Sequence, residues 1–184
     1  FEYVSANPTG PLTVGHGLNA VLGDTIANVL EWTGYDVTRE YYYNDAGRQM
    51  RVLAQSVRAR YRARVNPDEP TKTLTFDDGE SVEVPAEFPE DGYLGGYIED
   101  IAADLADEHG ESRLDVDERE PFKQAAEEAS FADIERTLAR FGVKMDTFFN
   151  ERDLYQDGQV WEIVDRLRAE GYVYYEDGAT WFQK

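Results

Sequence analysis

Glu2, Ser5, Asn7, Thr13 and His16 place a carboxylate, two hydroxyls, an amide and an imidazole in the run Phe-Glu-Tyr-Val-Ser-Ala-Asn-Pro-Thr-Gly-Pro-Leu-Thr-Val-Gly-His, residues 1–16. The run begins with an apolar-alternating segment, Phe1-Glu2-Tyr3-Val4, and continues as a Pro/Gly loop. Beyond His16, Leu18, Val21, Leu22, Ile26, Val29 and Leu30 recur at spacings of three and four. That order reads as strand, loop and amphipathic helix. A helix N-terminus carries unpaired N–H groups and about half a positive charge, which suits a phosphate. Gly15 removes a Cβ there, so a flat base or sugar can approach the backbone. Thr13 and His16 add donors where phosphate oxygens would lie. The chemistry that fits is the binding and neutralisation of nucleotide phosphates.

The elements that must hold these groups follow from the spacing. Residues 1–5 predict a strand and 15–33 a helix that ends at Gly34. Val37 to Tyr43 predicts a second strand, and Asp45 is the expected N-cap of a helix running to about Val65. Strand, helix, strand, helix with short links predicts an α/β fold: the first half of a Rossmann-type parallel sheet that binds a nucleotide. In such sheets ligands sit at the carboxyl ends of strands, so the loops at 5–16 and 44–47 are the candidate site. The pattern then breaks at Asn66-Pro67. Segments 73–76 and 82–84 predict a hairpin, 93–109, 121–141 and 158–170 predict helices, and Asp177-Gly178 a C-terminal hairpin. The expected organisation is 1–65 as the first half of the nucleotide-binding domain and 66–184 as an α+β insertion, within a longer chain.

Composition narrows the classes. The 184 residues carry 38 acidic and 18 basic side chains, a formal charge of −20, and no cysteine. Disulfide frameworks and thiolate metal sites are excluded, and no apolar run is long enough to cross a membrane. A cytoplasmic setting is the expectation. The acids are spread along the chain, which reads as a salt-adapted, halophilic surface: at about 1 M salt the Debye length falls to about 3 Å and self-repulsion becomes mild.

The Thr13–His16 segment resembles the "HIGH" loop of class I aminoacyl-tRNA synthetases and related nucleotidyltransferases. The longer run from Phe1 to His16 closely resembles arginyl-tRNA synthetases. Further segments fit the same family in order: Tyr-Tyr-Asn-Asp-Ala-Gly at 42–47, Glu-Asp-Gly-Tyr-Leu-Gly-Gly-Tyr-Ile at 90–98, Ala-Arg-Phe-Gly-Val-Lys-Met-Asp at 139–146, and Glu-Gly-Tyr-Val-Tyr-Tyr-Glu-Asp-Gly-Ala-Thr-Trp-Phe at 170–182. The resemblance implies an ATP-dependent arginine–tRNA ligase, with ATP and Mg²⁺ used and arginine and tRNA(Arg) as partners, and a monomeric parent protein. It places ATP contacts on Pro8, Thr9, Gly10, Gly15 and His16, catalytic phosphate donors on Thr13 and His16, and arginine contacts on Glu2, Ser5 and Asn7. A carboxylate can grip a guanidinium in bidentate fashion, and an amide can serve an amino-acid head group. By residue type alone Glu2 reads equally as an exposed strand residue and Asn7 as a turn former. Asn44 and Asp45 are candidate substrate contacts. Arg51 and Arg58, on one face of the expected second helix, are either tRNA-phosphate contacts or solvated cations paired with nearby acids. Two departures stand out: Thr13 occupies a position where the family more often has His, and Leu18 one where Arg is frequent. A small-molecule nucleotidyltransferase with a Thr-x-Gly-His loop and a non-catalytic synthetase paralogue are the competing readings. The aromatics of 139–182 are expected mostly in core or interdomain packing.

Overall fold

The computed structural model describes residues 1–116 and 121–183. The C-terminal Lys184 lies outside them. Helix α1 (Val14–Trp32) leads into strand β1 (Glu40–Tyr43) and helix α2 (Arg48–Val65). A hairpin of β2 (Thr71–Thr75) and β3 (Ser81–Pro85) precedes two long helices, α3 (Gly96–His109) and α4 (Phe122–Arg140). Strand β4 (Thr147–Asn150), helices α5 (Glu151–Gln156) and α6 (Gln159–Ala169), and the hairpin β5 (Val173–Glu176) and β6 (Ala179–Phe182) complete the order.

Strand β1 pairs in parallel with β4, Glu40 opposite Thr147 and Tyr43 opposite Asn150. On its other edge Glu2 forms a parallel bridge to Glu40. The sheet is therefore parallel, as the sequence predicts, but it draws a strand from beyond residue 66. The segment 1–5 is a single bridge rather than the expected strand. The reason is local: Val4 and Ser5 adopt φ of 67° and 38°, which turns the chain out of the ladder after Tyr3.

The hydrophobic interior has two main bodies. Met50, Leu53 and Val57 of α2 meet Ile98 and Ile101 of α3 and Phe122 of α4. Tyr3, Tyr41 and Tyr43 of the sheet pack with Ala20 of α1, Ile134 and Leu138 of α4, and Val143. The Tyr43 ring stacks on Phe131 at 3.9 Å between centroids, tying α4 to β1. Region 151–183 contributes no buried residue: Trp161, Tyr175, Trp181 and Phe182 stand exposed, so these aromatics are not in the chain's own core.

Candidate functional site

The loop from Val4 to Pro11 is tied down on every side. The Val4 N–H donates to Asn19 Oδ1 of α1 at 2.8 Å, and the Tyr42 N–H of β1 donates to Ser5 Oγ at 3.1 Å. The Tyr41 hydroxyl donates to the Ala6 carbonyl at 3.0 Å inside the core. Asn7 Nδ2 donates to Gln49 Oε1 of α2 at 2.6 Å, and the Tyr97 hydroxyl of α3 donates to the Thr9 carbonyl at 2.6 Å. Four elements thus fix one loop before any ligand arrives, which is the preorganisation that a binding loop needs.

At the loop's end Thr13 is the N-cap of α1 and forms a reciprocal box with His16. The His16 N–H faces Thr13 Oγ1 at 3.4 Å, and the Thr13 N–H donates to His16 Nδ1 at 3.1 Å. Thr is among the preferred N-caps, so the departure at position 13 has a local structural reason. With Nδ1 accepting, a neutral imidazole carries its proton on Nε2. Among the described residues nothing bonds that nitrogen, so the cap leaves one ring atom able to donate outward. A Cβ on Gly15 would meet nothing nearer than Thr13 Oγ1 at 3.7 Å, which leaves the helix start open to approach. Gly10 differs: a Cβ there would come within 2.9 Å of the Tyr97 hydroxyl, so its small size serves packing. Pro8 is fully buried and shapes the loop from within.

Glu2 and Ser5 line one cavity of about 410 Å³, together with Asn19, Leu22 and Ile26 of α1. The volume lies within the range of small-ligand sites. Its walls combine a carboxylate, a hydroxyl and an amide with aliphatic surface. Asn7 is not part of this cavity; its amide is held by Gln49.

The second loop behaves differently. Asn44 is exposed, whereas Asp45 is fully buried. Asp45 does not cap α2, whose N-cap is Gly47 at φ 100° with no side-chain bond. Its Oδ1 instead accepts the backbone N–H of Arg152 at 2.9 Å, so Asp45 serves the first turn of α5. The Arg152 guanidinium lies 3.7 Å from Asp45 Oδ2 and 3.1 Å from Glu127, and Lys123 pairs with Glu127 at 2.9 Å. This partly buried network pins the loop that follows β1.

On α2, Arg58 pairs with Glu87 at 2.9 Å, Arg60 with Glu99 at 3.5 Å and Arg62 with Glu69 at 2.9 Å. Arg51 is exposed and forms no ion pair among the described residues. Most of the basic series is thus absorbed by neighbouring acids. The residues that the sequence reading did not single out are Asn19, Gln49, Tyr97 and Arg152. Asn19 had a local signal, a polar residue one turn after His16 in an apolar stretch. Arg152 had none.

A parallel sheet, a loop fixed by four elements and a capped helix start define an α/β domain of the class I synthetase kind. The family model described as tRNA synthetases class I (R), catalytic domain, matches residues 1–183, and the chain belongs to this family. It is 64% identical over 182 residues to an arginine–tRNA ligase of Salinibacter ruber, covering 99% of the chain and 32% of that protein. With an arginine–tRNA ligase of Desulfotalea psychrophila it is 52% identical over 182 residues, covering 99% and 30%. A crystal structure of a putative arginyl-tRNA synthetase from Campylobacter jejuni superposes with a TM-score of 0.72 at 29% identity, over 98% of this chain and 36% of the other. The chain spans about a third of the length of the curated relatives it matches.

Proposed function

We propose that the protein containing this chain activates arginine with ATP and transfers it to tRNA(Arg), and that residues 1–183 supply its arginine pocket and its first phosphate loop. One observation carries the reading: a loop held by four elements joins the cavity of Glu2 and Ser5 to the N-terminus of α1, whose start Gly15 leaves open. In this reading the Glu2 carboxylate pairs with the guanidinium, and Leu22 and Ile26 cover the aliphatic stem. The arginine carboxylate attacks the α-phosphorus of ATP and pyrophosphate leaves. A ribose hydroxyl at the tRNA 3′ end then attacks the aminoacyl carbonyl of the adenylate, and AMP leaves as the ester forms. No protein nucleophile is required; the chain's part is orientation and charge neutralisation. The Nε2–H of His16 and the first N–H groups of α1 serve the phosphates. Among the described residues no cluster of three or more His, Cys, Asp or Glu is disposed to hold a metal ion. Mg²⁺ would enter bound to the ATP phosphates, the mode this ion favours.

We further propose that residues 66–184 form an α+β insertion after the first half of the nucleotide-binding domain, with strand β4 returning to pair with β1, and that the acidic surface is an adaptation to salt in the cytoplasm. Raising KCl from about 0.1 to about 2 M is expected to raise the melting temperature, as screening relieves the −20 charge. A fall over that interval refutes the adaptation.

The function is tested by arginine-dependent ATP–pyrophosphate exchange with the full-length protein and cognate tRNA. Glu2→Gln is expected to raise the arginine KM with the ATP KM nearly unchanged. His16→Ala is expected to lower kcat by about a hundredfold or more, the usual effect of losing one aimed donor. An unchanged arginine KM in the first variant removes Glu2 from the pocket. A kcat within twofold of wild type in the second removes His16 from the phosphates.

A further inference from the structure

Val4 is β-branched yet sits at φ 67°, and Ser5 follows at φ 38°. Non-glycine residues rarely adopt such backbone, and a branched Cβ is least tolerated there. It persists only where the surroundings over-determine it, and such places cluster at ligand sites. The Ser5 N–H donates to the Tyr3 carbonyl at 3.0 Å across the turn, and two bonds from other elements hold it there. Ser5 Oγ accepts the Tyr42 N–H of the sheet. From the opposite side Asn19 Oδ1 accepts the Val4 N–H, a donor that the turn has withdrawn from sheet pairing. Asn19 stands on α1 one turn beyond His16, and it lines the same cavity as Glu2 and Ser5. Its Nδ2 group has no protein partner among the described residues.

We propose that Asn19 is a positioning residue for the amino-acid pocket: its Oδ1 locks the Val4–Ser5 turn, so that the Glu2 carboxylate and the Ser5 hydroxyl face one bound cationic amino acid. The proposal rests on the function given above. Removing the acceptor leaves the Val4 N–H unpaired and lets the turn relax toward ordinary extended backbone. Ser5 then loses its register with Tyr42, and its hydroxyl turns away from the Glu2 side of the cavity, while Glu2 itself stays bridged to Glu40. The Thr13–His16 box does not involve Asn19, so the phosphate loop keeps its form.

The test uses the full-length protein in arginine-dependent ATP–pyrophosphate exchange, with hydrogen–deuterium exchange of residues 1–6 as a second readout. Asn19→Ala is expected to raise the arginine KM about tenfold, as loss of one hydrogen bond that fixes the pocket does. It should leave the ATP KM within twofold and speed exchange in residues 1–6. Asn19→Asp keeps the acceptor and is expected to stay within about threefold of wild type for arginine. A general structural lesion would raise both KM values together. That outcome, an unchanged arginine KM in Asn19→Ala, or an Asn19→Asp variant as poor as Asn19→Ala, overturns the proposal. Should the wild-type protein activate a different amino acid, the functional reading fails. The role of Asn19 is then read from the KM for that amino acid and from the exchange of residues 1–6.

Discussion

Helices α1 and α2 are nearly equal in length, at 19 and 18 residues, and opposite in how they use their side chains. Helix α2 carries six arginines, yet it buries Met50, Leu53, Val57 and Tyr61 between α3 and α4. Four of its cations, Arg48, Arg58, Arg60 and Arg62, pair with acids on neighbouring segments. Helix α1 is the more apolar, yet the residues it buries are only Ala20, Gly23 and Ala27. Its large apolar stripe, with Leu18, Leu22, Ile26 and Trp32, faces outward. The helix meets the sheet through its small residues because Tyr3 occupies the space: a Cβ on Gly23 would lie 2.4 Å from that ring. Apolar periodicity therefore shows that a helix has two faces. Which face turns inward is decided by what the neighbouring elements present to it.

The largest effect that could break this contrast is a pair of leucine truncations. Leu53→Ala is expected to cost about 2–5 kcal/mol in this chain, since Leu53 is fully buried. Leu22→Ala should cost under about 0.5 kcal/mol, as substitutions at exposed positions do. Urea unfolding measures both, and equal costs would refute the inverted orientation of α1. The same pair in the full-length protein sharpens the point, because a much greater cost for Leu22→Ala there would show the stripe to be covered.

Gly23→Ala comes next. Alanine has the better helix propensity by about 1 kcal/mol, but the new methyl group must displace the Tyr3 ring. Overpacking of this kind costs about 1–3 kcal/mol, so a net loss is expected from urea unfolding. A stabilised variant would mean that α1 is not pressed against Tyr3.

The smallest effect concerns the arginines of α2. The Arg62 hydrogen bond holds the Glu69 carboxyl below its ordinary value. Its pairing therefore stabilises the fold above the ordinary carboxyl range, and the contribution is lost as pH falls through the depressed folded value. Glu69→Gln is expected to be slightly less stable at neutral pH and to lose less stability than wild type between about pH 5 and about pH 2. Parallel acid limbs for the two proteins would show that the pair adds nothing to the docking of α2.

Several features of this molecule were set by short-range sequence alone. The start of α1 follows from Thr13 and His16, three residues apart, which complete a capping box without help from the rest of the chain. The C-terminal hairpin turns at Asp177 and Gly178, whose φ of 51° and 77° suit those residue types. The hairpin of β2 and β3 likewise turns at Asp78-Gly79. The two candidate loops were legible because Pro, Gly and polar residues interrupt two apolar runs.

Tertiary structure decided the rest, for a definite reason. Residues 147–150, Thr-Phe-Phe-Asn, carry too short a pattern to mark a strand, and β4 exists because β1 offers it a parallel edge. Asp45 has the right chemistry for a helix cap, but its donor is the Arg152 N–H, 107 residues away. The strained turn at Val4 and Ser5 depends on Asn19 and Tyr42, which belong to two other elements. Local spacing can encode a period or a cap because the partners are covalent neighbours. The choice among distant donors is made only when the core of tyrosines and helices brings them within hydrogen-bond reach.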